Sequence, residues 1–243
     1  QKITNPIIRP NMGRSAAALR VPRFRMTAAM GDMCLTLSNA DSRAYARMMP
    51  SVADRFHAVH NPYVSDAMLA VGTKRQSKAA SDIRNLLAVG RLDTQKDHPT
   101  MFRALTRLKD RNWQLHILGN GPHENDLKQL SRDLDIADRI TFAGFVSDPL
   151  EAYRSSDILV LSSRWEGLPA VPLEALACGC DVVTTACSEG LVDVLEPLGR
   201  RSTPVGDDEA LAQSISEALD RSEAPAAGRE IAARYSISAS VDH

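Results

Sequence analysis

Five short, nearly unbroken apolar runs recur at residues 85–89, 114–118, 140–143, 157–161 and 181–184, each separated from the next by a longer and more polar stretch. A strand with one wet face alternates apolar and polar residues, whereas a continuous run leaves no face for water. Such strands are covered on both sides, as in a parallel sheet held between two helix layers. The stretches between and after the runs carry a helical period: Met101, Leu105 and Leu108; Leu127, Leu130 and Leu134; Leu211, Ile215, Ala218 and Leu219. Parallel neighbours need crossovers of about a dozen residues or more, which this spacing provides. The expectation is an α/β chain with a doubly wound, Rossmann-like parallel sheet. Ligands of such sheets gather beyond the carboxyl ends of the strands, so the loops that follow each run are where chemistry is sought.

Residues 1–70 read differently. A strand is expected over 34–38, a helix over 40–48 and a second strand over 56–60, ending at Asn61-Pro62. Two or three elements cannot close a core, so this stretch is read as the C-terminal part of an incomplete domain. The opening at Gln1 rather than Met, without a signal-like segment, fits a piece of a longer protein. Residues 71–83 are polar, free of aromatic side chains and expected to be a linker, with a second domain over 84–243.

Charge and cysteines exclude several classes. Lys plus Arg number 29 against 30 Asp plus Glu, and the balance of −1 gives no pull toward nucleic acid. No apolar run nears the roughly 18 residues needed to cross a bilayer. Lys2, Arg9, Arg14, Arg20, Arg23 and Arg25 all precede the first acid, Asp32, so residues 2–25 either form a basic face for anionic lipid or a phosphorylated acceptor, or are solvated surface. Cys34, Cys178, Cys180 and Cys187 lack zinc-site spacing and read as buried thiols of a reducing compartment. Asp133 and Asp135 fall in a helical pattern and read as solvated rather than metal-binding. His98 reads as a surface histidine, and no Gly-x-Ser-x-Gly elbow marks a serine hydrolase. No metal and no cofactor are expected.

Chemistry concentrates at four strand ends. After 157–161 comes Glu166-Gly167-Leu168-Pro169, with Pro169 expected at an early helical position, Glu174 in the second turn and Gly179 closing the helix. The N–H groups of Gly167 and Leu168, beside the positive end of the helix dipole, suit a phosphate. Glu166 and Glu174 on either flank can accept paired hydroxyls, one pair from a sugar and one from a ribose. After 85–89 comes Gly90-Arg91-Leu92-Asp93-Thr94-Gln95-Lys96, whose two cations can neutralise a diphosphate leaving group. Gly119-Asn120-Gly121 follows the second run but lacks the third glycine of the dinucleotide fingerprint, since position 124 is Glu. Gly144-Phe145-Val146 follows the third and can offer backbone groups to a base edge.

The order Gly90–Lys96, Gly119–Gly121, Gly144–Val146, Glu166 and Glu174 resembles the donor domain of family 4 retaining glycosyltransferases, which have the GT-B fold. The resemblance runs through about residues 84–220; residues 34–64 look like the close of that family's N-terminal acceptor domain. It implies that Arg91 and Lys96 bind the donor's phosphates, Glu166 the donor sugar and Glu174 the ribose. Gly167 and Leu168 would offer N–H groups, and Phe145 and Val146 would frame the base. Pro169 stands where the family often carries Gly, removing one donor. The implied activity is metal-independent transfer of a sugar, with retention, from a nucleoside diphosphate sugar to a glycan or lipid-linked acceptor hydroxyl, in the cytoplasm or at the inner face of its membrane, as in polysaccharide assembly. A module that binds sugar nucleotides without turnover and a sugar-nucleotide epimerase of similar architecture are the other readings.

Overall fold

The computed structural model describes residues 2–3, 6–7, 12, 14–71, 83–200, 202–221 and 224–241, so residues 72–82 of the expected linker lie outside the described residues. The first part holds α1 (Arg14–Met30), β1 (Cys34–Thr36), α2 (Asn39–Met48), β2 (Phe56–Ala58) and α3 (Asp66–Val71). Strands β1 and β2 pair in parallel, with Cys34 opposite Phe56. Ser38 caps α2, accepting the N–H of Asp41 at 3.0 Å and donating to its carboxylate at 2.7 Å. Helix α1 was not legible in the sequence. Its apolar residues do not line one face: Leu19, Met26 and Met30 are exposed while Ala28 is buried, and Pro22 lies inside it. The rings of Phe24, Tyr45 and Phe56 join it to a small core.

The second part runs β3 (Arg84–Val89), α4 (His98–Thr106), β4 (Trp113–Leu118), α5 (Glu124–Asp133), β5 (Ile140–Gly144), α6 (Leu150–Ser155), β6 (Ile158–Leu161), α7 (Ala170–Ala177), β7 (Asp181–Thr184), α8 (Glu189–Leu195), α9 (Asp208–Asp220), α10 (Ala226–Ala233) and α11 (Ile237–Val241). All five expected strands are present, and every pairing is parallel, in the order β5-β4-β3-β6-β7. Successive β3 side chains enter opposite layers. Leu86 and Ala88 join Ile158, Val160 and Val183 under α4, α5 and α9, whereas Leu87 joins Leu159, Leu161 and Val182 under α6, α7, α8 and α10. Strands β3, β6 and β7 are covered on both faces, as the unbroken runs required. At the sheet edge, however, Thr141 and Ala143 of β5 are exposed, so that run is covered on one face only.

This winding has one reversal. From β3 the chain steps outward through β4 to β5; it then returns by α6 to place β6 on the other side of β3 and steps outward again to β7. The carboxyl ends of β3 and β6 therefore flank the switch point, where a doubly wound sheet leaves a crevice. The two parts meet at α2 and α8. A Cβ on Gly190 would lie 2.6 Å from the Ser38 hydroxyl, and Arg43 pairs with Asp193 at 2.7 Å. Further along, the N–H groups of Tyr63 and Val64 donate to the carbonyl of Tyr235 at 2.9 and 3.0 Å, fastening the segment around Tyr235 to residues 63–64.

Candidate functional site

The loops after β3 and β6 are stitched together at this crevice. The Arg164 N–H donates to the Gln95 carbonyl at 2.7 Å and the Ser162 hydroxyl to the Lys96 carbonyl at 2.8 Å. Asp93 shapes the turn, accepting the N–H groups of Gln95 and Lys96 at 3.0 and 3.3 Å. Arg164 also pairs with Asp97 at 2.8 Å; Asp97 itself sits in the left-handed region at φ 47°.

Lys96 and Glu166 are brought into direct contact. The ammonium lies 2.8 Å from Oε1, and the two side chains are only 17% and 11% exposed. Ser163 donates to the same oxygen at 2.9 Å, while the Gln95 amide reaches Oε2 and the Trp165 carbonyl, both at 3.0 Å. Glu166 is thus a largely but not fully buried carboxylate held by a cation and two neutral donors. Its own N–H donates to the Cys187 carbonyl at 2.8 Å. Burial, with Glu166 close by, pushes the Cys187 thiol up to about 12, so it stays protonated. A lysine ammonium has three donors, and one is assigned to Glu166. Among the described residues the Lys96 ammonium makes no other hydrogen bond.

The glycines here are spacers. Gly90 has φ 149°, and a Cβ on it would fall 2.7 Å from Cε of Lys96, whose stem lies across it. A Cβ on Gly119, at φ 135°, would sit 2.0 Å from the Gly90 carbonyl oxygen, so the loops after β3 and β4 touch backbone to backbone. Gly121 makes the same close approach to the backbone of Leu92.

Helix α7 starts one residue later than the sequence pattern indicated. Pro169 has extended backbone, φ −71° and ψ 134°, and precedes the helix as its cap without a side-chain hydrogen bond; a proline has none to give. No acid occupies the first turn, so the positive end of the helix is not neutralised by the helix itself. The Ser188 hydroxyl donates to the Gly167 carbonyl in a very short contact. In a trans peptide the next N–H points the opposite way, which turns the Leu168 N–H away from Ser188. Among the described residues, neither the Gly167 nor the Leu168 N–H makes a hydrogen bond.

Glu174 stands apart from the Lys96–Glu166 pair. It is half-buried, burial raises its carboxyl above the usual range, and the phenol of Tyr153 donates to Oε2 at 2.5 Å. Arg91 is different again: its side chain is 76% exposed at the tip of the β3 loop, 3.8 Å from Asp93. Phe145 and Val146 protrude past β5 at 74% and 38% exposure. Gln95, Ser163 and Tyr153 were not singled out from the sequence. Gln95 and Ser163 lie inside recognised segments but are chemically ordinary; Tyr153 lies in a short, mostly polar stretch with no motif around it. His98 is buried, not at the surface as expected, and burial together with Lys96 lowers its imidazole to about 4. All four cysteines are buried and free. Among the described residues no cluster of His, Cys, Asp and Glu is placed to hold a metal ion, and no helix is long and apolar enough to cross a membrane.

Residues 72–235 match the family described as glycosyl transferases group 1. The chain belongs to that family. An uncharacterized glycosyltransferase of Haemophilus influenzae is 36% identical over 115 residues, which are 46% of this chain and 33% of the relative. A lipopolysaccharide 1,6-galactosyltransferase of Escherichia coli is 33% identical over 115 residues, 45% of this chain and 32% of the relative. The match therefore spans about a third of the length of each of these relatives. Two solved structures share the fold. The lipopolysaccharide outer core galactosyltransferase WaaB aligns with TM-score 0.74 at 22% identity, over 98% of this chain and 64% of that one. HepE of Anabaena, solved with UDP and glucose, aligns with TM-score 0.75 at 16% identity, over 97% and 66%. The fold is of GT-B type, with the Rossmann-like parallel sheet expected from the strand pattern.

Proposed function

We propose that this chain carries the donor site of a retaining glycosyltransferase of the family 4 type, which moves a sugar from a nucleoside diphosphate sugar to an acceptor hydroxyl. The observation that carries the reading is the buried Lys96–Glu166 pair at the switch point, in the loop that leads to the uncapped start of α7. The two uncommitted donors of Lys96, with Arg91 from the same loop, neutralise the diphosphate. The Gly167 and Leu168 N–H groups add the helix terminus to that neutralisation. Glu166, fixed by Gln95 and Ser163, keeps lone pairs for the hydroxyls of the donor sugar. Glu174 takes the ribose hydroxyls, and Phe145 and Val146 frame the base. The acceptor oxygen attacks the anomeric carbon as its bond to the diphosphate breaks, and the acceptor proton passes to the departing phosphate. The protein's share is positioning and charge stabilisation, with no cofactor and no metal.

The Escherichia coli relative is named as acting on lipopolysaccharide, and one of Campylobacter jejuni, 33% identical over 120 residues, as acting on a diphospho-undecaprenol-linked sugar. These names favour a glycan or lipid-linked acceptor here as well. Residues 1–70 would then close the acceptor domain, 71–83 link it to the donor domain, and the basic residues of 2–25 meet anionic lipid at the cytoplasmic face of a membrane. The test begins with calorimetric titration of uridine, guanosine and adenosine diphosphates and their sugars. One nucleotide family should bind, with Arg91→Ala, Lys96→Ala and Glu174→Ala each weakening it by about 1–3 kcal/mol. Unchanged titrations for all three variants would remove the assignment. Incubation with labelled donor and mixed acceptors then separates a transferase from a module that binds without transfer.

A further inference from the structure

Glu174 is held by a residue outside every recognised motif. The Tyr153 phenol donates to its Oε2 at 2.5 Å, and Tyr153 is wholly buried on α6. We propose that Tyr153 is a positioning residue, whose phenol locks the Glu174 side chain with Oε1 free for a pair of ribose hydroxyls and holds that carboxylate in its accepting form. The proposal rests on the ribose role assigned to Glu174 above.

The balance of forces around Glu174 gives Tyr153 this weight. Burial raises the carboxyl, and the opposing influence is the Tyr153 hydrogen bond. Among the described residues Glu174 forms no salt bridge; the titratable group facing it is Tyr153, which in turn faces the thiols of Cys178 and Cys180. Burial, then Glu174 itself, holds the phenol well above 10, so it remains a donor throughout the physiological range. Its backbone is fixed as well, because the Cys180 thiol donates to the Tyr153 carbonyl at 2.9 Å. A glutamate has three rotatable side-chain bonds and loses that freedom whenever it must present two oxygens in a set direction. The hydrogen bond from a rigid, buried ring removes the freedom before the ligand arrives.

Tyr153→Phe deletes one oxygen and keeps the packing. The test titrates the 243-residue protein and this variant with uridine diphosphate and 2′,3′-dideoxyuridine diphosphate, or the guanosine pair if the panel selects guanosine. The variant should bind the ribonucleotide about tenfold more weakly and the dideoxy nucleotide equally well. The ratio of the two affinities cancels the phosphate's own titration, so its pH dependence reports Glu174. Without the phenol the carboxyl rises further, and the preference for ribose should fade at a higher pH than in the parent. Equal weakening of both nucleotides, or an unmoved pH profile, would mean that Tyr153 only supports the fold and would overturn the proposal. A Glu174→Ala protein that still distinguishes the two nucleotides would instead sink the ribose reading. If Tyr153→Phe alone does not fold, it is made in Glu174→Gln, which leaves no buried charge. There the phenylalanine must cost nothing further in ribose preference, and a further loss would refute the coupling.

Discussion

Lys96→Met offers a sharp test of the buried pair. Methionine keeps an unbranched stem across Gly90 and removes the charge that lies 2.8 Å from Glu166. The carboxylate retains its two neutral donors, Gln95 at 3.0 Å and Ser163 at 2.9 Å, in a site where it is 11% exposed. Removing one partner of a buried pair costs about 3–5 kcal/mol, and the two surviving hydrogen bonds place this case near about 3. For a chain of 243 residues that corresponds to a fall in Tm of roughly 6–12 °C. Urea unfolding followed by circular dichroism at pH 7.5 measures it, with equal m-values confirming that the folded state is otherwise unaltered. Adding Glu166→Gln removes the stranded charge, so the double variant should be more stable than Lys96→Met alone, with a coupling of about 2 kcal/mol. A loss below about 1 kcal/mol for Lys96→Met, or additive single effects, would show that the pair behaves as a surface contact and would refute the argument.

Other outcomes follow from particular contacts. Arg43 and Asp193 are 58% and 45% exposed, so Arg43→Ala should change stability by less than about 1 kcal/mol in the same urea assay. Gly119→Ala must push a methyl group into the Gly90 carbonyl at positive φ and should lose more than about 3 kcal/mol, read as failure to fold or a large drop in Tm. Gly144→Ala, at φ 71° with open space around it, should cost only about 1–2 kcal/mol. Burial and Lys96 lower His98 from 6.5 to about 4, so between those values the unfolded chain binds more protons than the folded one. The neutral ring's contribution, about 3 kcal/mol, is complete above pH 6.5 and is lost as the pH falls toward 4. His98→Asn should flatten that part of the stability profile, and an unchanged acid limb would disprove it.

The central strands were legible because burial on both faces leaves a mark in nearly every residue of the run: Leu86 and Leu87 are both fully buried although they point to opposite layers. The edge run of β5, exposed at Thr141 and Ala143, was apolar without being covered on both sides. The start of α7 was legible to within a residue because glycine and proline carry backbone constraints that hold in any context. The unread helices lack such marks. Helix α6 is six residues long and α11 five, too short for a period to repeat, and α1 has no consistent face. The site residues proposed from the sequence were mostly charges and glycines, whose chemistry is visible in isolation; Leu168, Phe145 and Val146 were named only for their place beside them. What the sequence hid were relations: Tyr153 meets Glu174 from 21 positions away, and Gln95 spans 71 positions to Glu166. An amide or a phenol gains its role from what it faces, and facing is a property of the folded chain. His98 was misread for the same reason, since a histidine beside a basic loop gives no sign that its ring is sealed.

The stitching between the β3 and β6 loops has a bearing on how such a site could change. Arg164 and Ser162 fasten one loop to the backbone of the other, so the ammonium and the carboxylate share a single frame rather than two separately adjustable arms. On the proposed donor site, a change that shifts Glu166 to suit a different sugar will drag Lys96 with it and disturb the grip on phosphate proposed for that lysine. If that proposal holds, new sugar preferences are more easily reached by replacing side chains on that frame than by lengthening or shortening either loop.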